Sequence, residues 1–153
     1  MKKNLPLLFF ILFSFFIVSC GEKPSVEVII KENVSQAKEG IETLKPSLVT
    51  ELLAENFSAT SHSKAHGKQK MQAKDIKKIM QVQALRKQKV SLTLSPVKVT
   101  MDEFNSTLAH METTAIITSR RSGLIPNDGR IYKIKGTWRL FDDEWLLTDI
   151  SWE

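Results

Sequence analysis

The chain predicts an α+β domain in which N-terminal helices pack on one face of a curved antiparallel sheet, and three features of the sequence carry that reading. Apolar residues recur at helical spacing from Val26 to Leu44, through Ile30, Val34, Ala37 and Ile41. From Val90 onward the pattern changes to strand alternation, including a long β-rich run, Thr107–Arg120. The chain closes on two alternating runs, Arg130–Phe141 and Glu144–Trp152, separated by Asp142-Asp143. A two-residue turn there pairs Leu140 with Trp145 and Trp138 with Leu147, so Ile134, Trp138, Leu140, Trp145 and Leu147 share one face and demand a core. Helices first and strands afterwards is the order of an α+β plan.

Residues 1–19 stand apart from this domain. Lys2 and Lys3 precede an apolar run without charge, Leu5–Val18, which has the pattern of an export signal. The run is shorter than the roughly 20 residues that a membrane-spanning helix needs. It ends in Ile17-Val18-Ser19-Cys20-Gly21, which resembles the lipobox of bacterial lipoproteins. The resemblance implies a lipid on Cys20, cleavage after Ser19 and acylation of the new amino terminus, and several acyl chains make a stable membrane anchor where one is marginal. Gly21 after the cysteine, where the family places Asp for inner-membrane retention, implies the periplasmic face of the outer membrane. The alternative is a secreted protein whose signal happens to contain a cysteine. Residues 20–25 then form the lipidated cysteine and its tether, and 26–153 the domain.

Cys20 is the sole cysteine, so the domain has no disulfide and no thiol chemistry. Loss of Lys2 and Lys3 with no acid lost takes the formal charge from +5 to +3, too mild to imply nucleic acid.

Along the domain, Pro46 ends the first helix and opens a short second one to about Glu55, with Leu48, Leu52 and Leu53 inward. Phe57 opens a short strand. Residues 58–72 carry almost no large apolar side chain and read as a loop. Helical spacing resumes from Ala73 to about Lys87 through Ile76, Ile79, Met80 and Ala84. Pro96 interrupts Val90–Met101, marking a bulged or edge strand. Pro126-Asn127-Asp128-Gly129 is a turn before the terminal hairpin.

This order, with Trp138 before the acidic turn and Trp145 just after it, resembles the nuclear-transport-factor-2-like superfamily, a cone-shaped fold that includes polyketide cyclases and ketosteroid isomerases. The resemblance covers roughly Ser25 to Glu153 and implies a cavity at the mouth of the cone.

Phe57, Trp138 and Trp145 are the candidate ligand-binding residues, since an aromatic-lined cone takes up small apolar molecules; a buried tryptophan is more usually plain core. His110, Glu112 and Thr114 alternate on one strand face, and with Asp102 or Tyr132 they would support proton transfer if that face turned inward, or a wet outer face if not. The family's catalytic Asp-Tyr or Asp-His positions find no match here. His62 and His66 are four apart but in a segment that does not read as a helix, which implies no metal site. No cofactor is implied. Phe141, Leu146, Ile150 and Trp152 fall on the other side of the terminal hairpin, a face suited to a homodimer or covered by the stems of Lys133 and Lys135. Basic residues from Lys64 to Lys89 leave Asp75 the one acid between them and suit either an anionic surface or solvent.

Three functions are compatible with this pattern. The first is a membrane-anchored periplasmic lipoprotein that binds a small apolar ligand or a protein partner without catalysis. The second is a lyase, isomerase or hydrolase acting on a small hydrophobic substrate. The third is a structural protein of the envelope.

Overall fold

The structure, a computed structural model, describes residues 23–63, 67–86, 89–120 and 130–153. Cys20 and the apolar run before it lie outside the described residues, as do His66 and the turn at 126–129. Ser25 begins the first helix, α1 (Val26–Thr43), by accepting the Val28 N–H on its Oγ at 3.4 Å. Leu44, in left-handed backbone at φ 55°, ends it. Pro46 then stands in the first turn of α2 (Pro46–Thr50). Gly40 is what lets the two helices touch, because a Cβ there would come within 2.8 Å of Val49 Cγ2.

The second helix is shorter than its sequence predicts. Leu53 and Ala54 belong to β1 (Leu53–Ser63), since the Leu147 N–H donates to the Leu52 carbonyl at 2.8 Å and pulls the chain into the sheet. A second correction concerns 58–72, most of whose described residues are strand rather than loop. β1 continues to Ser63 and pairs antiparallel with β2 (Gly67–Met71), with Ala59 opposite Met71 and Thr60 opposite Lys70. Ala59 and Thr60 are both buried, so the strand fits closely with small side chains that give no apolar alternation to read. Lysines on the short outer strand β2 suit an exposed sheet edge.

α3 (Ala73–Leu85) follows, opened by a capping box in which Asp75 Oδ2 accepts the Gln72 N–H at 2.9 Å. The remaining strands are β3 (Lys89–Leu94), β4 (Lys98–Met101), β5 (Leu108–Arg120), β6 (Arg130–Phe141) and β7 (Glu144–Trp152). The break at Pro96 divides β3 from β4, and both pair with β5 at the same edge. The sheet runs β2-β1-β7-β6-β5-β3. Its β1–β7 pair is parallel and the others antiparallel, so the sheet is mixed where the sequence predicts an antiparallel one.

The terminal hairpin has the expected ends and turn. Asp142 and Asp143 both take positive φ, 43° and 69°, the type I′ geometry that matches strand twist. Trp138 faces Leu147 and Leu140 faces Trp145, as the sequence predicts. Beyond that point the register shifts: Thr137 pairs with Asp149, leaving Thr148 as an extra residue in β7, its Oγ1 donating to the Thr137 carbonyl at 3.1 Å. An extra residue reverses which face every later side chain takes. Ile150 and Trp152 therefore sit opposite Gly136 and Ile134 on the inner face, and the outer apolar face predicted for Phe141, Leu146, Ile150 and Trp152 keeps the first two alone.

Helices cover that inner face. Ile30 of α1 is fully buried among Phe57, Met111, Trp138, Trp145 and Leu147, and the Asn33 side chain donates to the Trp145 carbonyl at 3.2 Å. The result is an α+β domain with helices on one face of a curved mixed sheet.

Candidate functional site

Between α1 and the inner face of the sheet lies a cavity of about 200 Å³. It exists because a curved sheet opens wider than one helix can fill. Strand periodicity decides its walls. On β5, Ala109, Met111, Thr113 and Ala115 are buried, and the alternate residues face out. On β6 the inward set is Ile134, Gly136 and Trp138, and on β7, after the bulge, Ile150 and Trp152 join Leu147. Phe57 closes one side and Leu92 another, while Val34, Ala37 and Ile41 form the roof. Gly136 contributes by lacking a side chain: a Cβ there would be 3.0 Å from Met111 Cε and 3.2 Å from Leu147 Cδ1, so these two side chains occupy the space over its backbone.

The lining is apolar with two exceptions. Thr113 is buried, and its hydroxyl donates to the Ser95 carbonyl at 3.0 Å while accepting from Ser95 Oγ at 3.2 Å. Its hydrogen bonds are therefore met at the Pro96 break, without a ligand. Lys38 stands at the mouth with its Nζ 3.3 Å from Glu42 Oε2. The other oxygen of Glu42 accepts the Leu92 N–H at 2.8 Å, which ties α1 to β3 at the rim. That backbone hydrogen bond, opposed by desolvation and aided by Lys38, holds the Glu42 carboxyl below the usual carboxylate range.

Trp138 carries a different kind of polar atom. The residue is 2% exposed, and its Nε1 meets no hydrogen-bond acceptor among the described residues. Almost all buried polar groups are paired, so this indole is held by packing of its ring.

Of the residues singled out from sequence, Phe57 and Trp138 line the cavity. Trp145 does not line it; this tryptophan is buried in the core cluster with Ile30. His110 and Glu112 lie on the outer face. His110 Nε2 is 3.4 Å from Asp102 Oδ2, with the imidazole side chain 48% exposed, and Glu112 pairs with Lys135 at 3.4 Å in solvent. The Phe104 N–H, donating to Asp102 Oδ1 at 3.0 Å, is the main cause that lowers the Asp102 carboxyl below its ordinary range, and His110 adds to it. Neither His110 nor Glu112 reaches the cavity. Tyr132, opposite buried Ala115, takes the inner face further along β6. His62 is exposed, and no cluster of three His, Cys, Asp or Glu with metal-binding geometry occurs among the described residues.

Met111, Leu92, Ile150 and Trp152 were not legible as cavity residues. For Met111 the signal was present: Ala109, Met111 and Ala115 alternate with His110, Glu112 and Thr114, which already marks the histidine face as the wet one.

No family model and no curated protein matches this sequence. Solved structures do. An NTF2-like protein with a cystatin-like fold from Novosphingobium aromaticivorans aligns with a TM-score of 0.67 at 14% identity, over 99% of this chain and 90% of that one. An NTF2-like protein from Cytophaga hutchinsonii gives 0.65 at 11% identity, over 84% and 98%. A putative scytalone dehydratase from Novosphingobium aromaticivorans gives 0.64 at 14% identity, over 82% and 81%. At these identities the likeness establishes the fold: this domain has the NTF2-like, cystatin-like architecture.

Proposed function

We propose that the domain is a binding module that holds a small apolar molecule in its cone, on a chain tethered to the cell envelope through a lipid on Cys20. The observation that carries the binding reading is the apolar lining of the 200 Å³ cavity, in which Lys38, at the mouth and already paired with Glu42, is the ionisable side chain. Apolar cavities of roughly 150 Å³ stay dry and take up benzene. The space here suits a molecule of about one or two fused rings, or a short alkyl chain. Catalysis at this place would need an acid or base beside the substrate. The imidazole and carboxylate that sequence offered lie on the other side of the sheet, which favours binding over an isomerase or dehydratase reaction. The tether rests on the lipobox-like Val18-Ser19-Cys20-Gly21 and the apolar run before it.

Trp138 and Trp152 both line the cavity, so occupancy has an intrinsic reporter. Titration of the chain from Gly21 with naphthalene and with octanoate is expected to change tryptophan emission saturably and to show a one-to-one adduct by native mass spectrometry. Ala37→Phe, which places a ring in the cavity from the roof, should abolish both signals while leaving the fold intact. Saturable binding that survives Ala37→Phe would overturn the assignment of the site. The tether has its own test: incorporation of labelled palmitate that persists in Cys20→Ala would refute it.

A further inference from the structure

We infer that the outer face of α3 is a membrane-contact surface that lays the domain against an anionic bilayer. The helix has two apolar faces, where one suffices for the fold. Ile76 and Met80 point to the interior, Met80 being 5% exposed and Ile76 packed against the core. Ile79, Val82 and Leu85 lie outside, 44%, 45% and 84% exposed. Steps of three residues put them in one stripe along the helix. Lys74 and Lys78, four residues apart, run beside that stripe, Arg86 stands at its end, and Lys77 flanks it; all four are exposed. The helix contains one acid, Asp75, whose carboxylate is taken up by the Gln72 N–H. The surface therefore combines exposed aliphatic side chains with a positive charge excess.

Charge and shape together select the occupant. Aliphatic side chains among lysines are the composition of a helix that lies in the interfacial plane, its apolar groups entering the headgroup boundary and its cations meeting anionic lipid. A purely polyanionic polymer would leave Ile79, Val82 and Leu85 in water. The chain also supplies a reason to be near a bilayer, which rests on the tether through Cys20: the apolar run Leu5–Val18 before cleavage, and the lipid on Cys20 after it, both end a few residues before Ser25 starts α1. Seven residues of linking chain reach at most about 25 Å, so a segment held in the membrane keeps the domain at its surface. No described helix is long and apolar enough to cross a membrane.

The test uses the full chain in lipid vesicles, with Cys20→Ser and a single environment-sensitive fluorophore on a cysteine introduced at Val82, or at Phe104 as control. Phe104 is 95% exposed on the loop after β4. The label at position 82 is expected to shift to shorter wavelength, and to become quenchable by lipid-borne nitroxide, in vesicles containing phosphatidylglycerol. In pure phosphatidylcholine the shift should be lost. Lys74→Gln and Lys78→Gln should each reduce the contact population about fivefold at low salt, as about 1 kcal/mol per basic residue requires. The control at 104 should respond to neither lipid. Equal responses at 82 and 104, or a response at 82 indifferent to anionic lipid and salt, would overturn the inference. So would a label at 82 already shielded in detergent without vesicles and cross-linking to a second copy, which would make this face a dimer interface.

Discussion

Trp138 separates what a buried ring contributes from what its polar atom costs. Trp138→Ala removes the ring from a wall that borders an existing cavity, where collapse around the gap is least available, and a loss of about 3–5 kcal/mol is expected. Trp138→Phe keeps a six-membered ring and gives up the equivalent of two to three methylenes, roughly 2 kcal/mol at about 0.8 kcal/mol each. It also removes an N–H that is buried without an acceptor among the described residues, and an unmet donor of this kind costs about 1–3 kcal/mol. The two contributions oppose each other and are of one size. Trp138→Phe should therefore unfold within about 1 kcal/mol of the parent. Urea denaturation followed by far-ultraviolet circular dichroism reads both variants, with an unchanged denaturant slope as the check on two-state behaviour. A loss above about 2 kcal/mol for Trp138→Phe would mean that the N–H has a partner after all, and the reasoning would fall.

Other substitutions report on the faces of the sheet and on its rim. Ile150→Lys puts a cation into the cavity and should cost about 2–4 kcal/mol and eliminate naphthalene binding, whereas Leu146→Lys on the outer face should cost under about 1 kcal/mol; equal effects in the same urea titration would contradict the β7 bulge. His110→Ala and Glu112→Gln, both in solvent, should leave naphthalene affinity unchanged, and a tenfold loss in either would return them to the site. Glu42 has a folded-state pKa below its ordinary value of 4.5, so its contribution is present above the unfolded pKa and disappears as pH falls through the folded one. Urea midpoints measured on either side of pH 4.5 should accordingly show a shallower acid dependence in Glu42→Gln than in the parent; parallel pH profiles would dismiss the rim hydrogen bond to Leu92.

The parts of the fold that were legible in sequence are those in which local chemistry and tertiary packing demand the same thing. α1 satisfies its apolar stripe, its Ser25 cap and its Pro46 stop at once. The hairpin at Asp142-Asp143 is equally consistent, since a two-residue turn fixes both register and face. Where the two demands part, sequence misleads. Leu53 continues a helical pattern, yet pairing with Leu147 turns it into strand. Residues 58–72 have loop composition, yet 58–63 and 67–71 are strand: Ala59 and Thr60 are small and buried, and the backbone of β1 is paired on both sides.

The candidate site depends most on the kind of feature that composition hides. Read with unbroken alternation, β7 sends Ile150 and Trp152 to the outer face, where with Phe141 and Leu146 they form an apolar patch fit for a second copy of the chain. Thr148, one extra residue in the ladder, sends both inward instead. A single unpaired position thus removes half of an apparent interface and supplies two walls of a cavity. Nothing in Thr148 itself announces this, because a threonine is an ordinary strand residue, and its hydroxyl bond to the Thr137 carbonyl follows from the bulge without foretelling it. The outer patch left behind, half-buried Leu146 and Phe141 at 38% exposure, is small for a stable dimer interface, whose area is typically about 800 Å² per partner. A homodimer through this face would have to extend along β6 over the aliphatic stems of Arg139, Lys135 and Lys133 toward the exposed Ile131–Ile116 pair, and such an interface would weaken as those residues are shortened. Sedimentation equilibrium of the chain from Gly21 decides the matter: dimer at micromolar concentration that dissociates in Leu146→Lys places the interface there, and a monomer throughout excludes it.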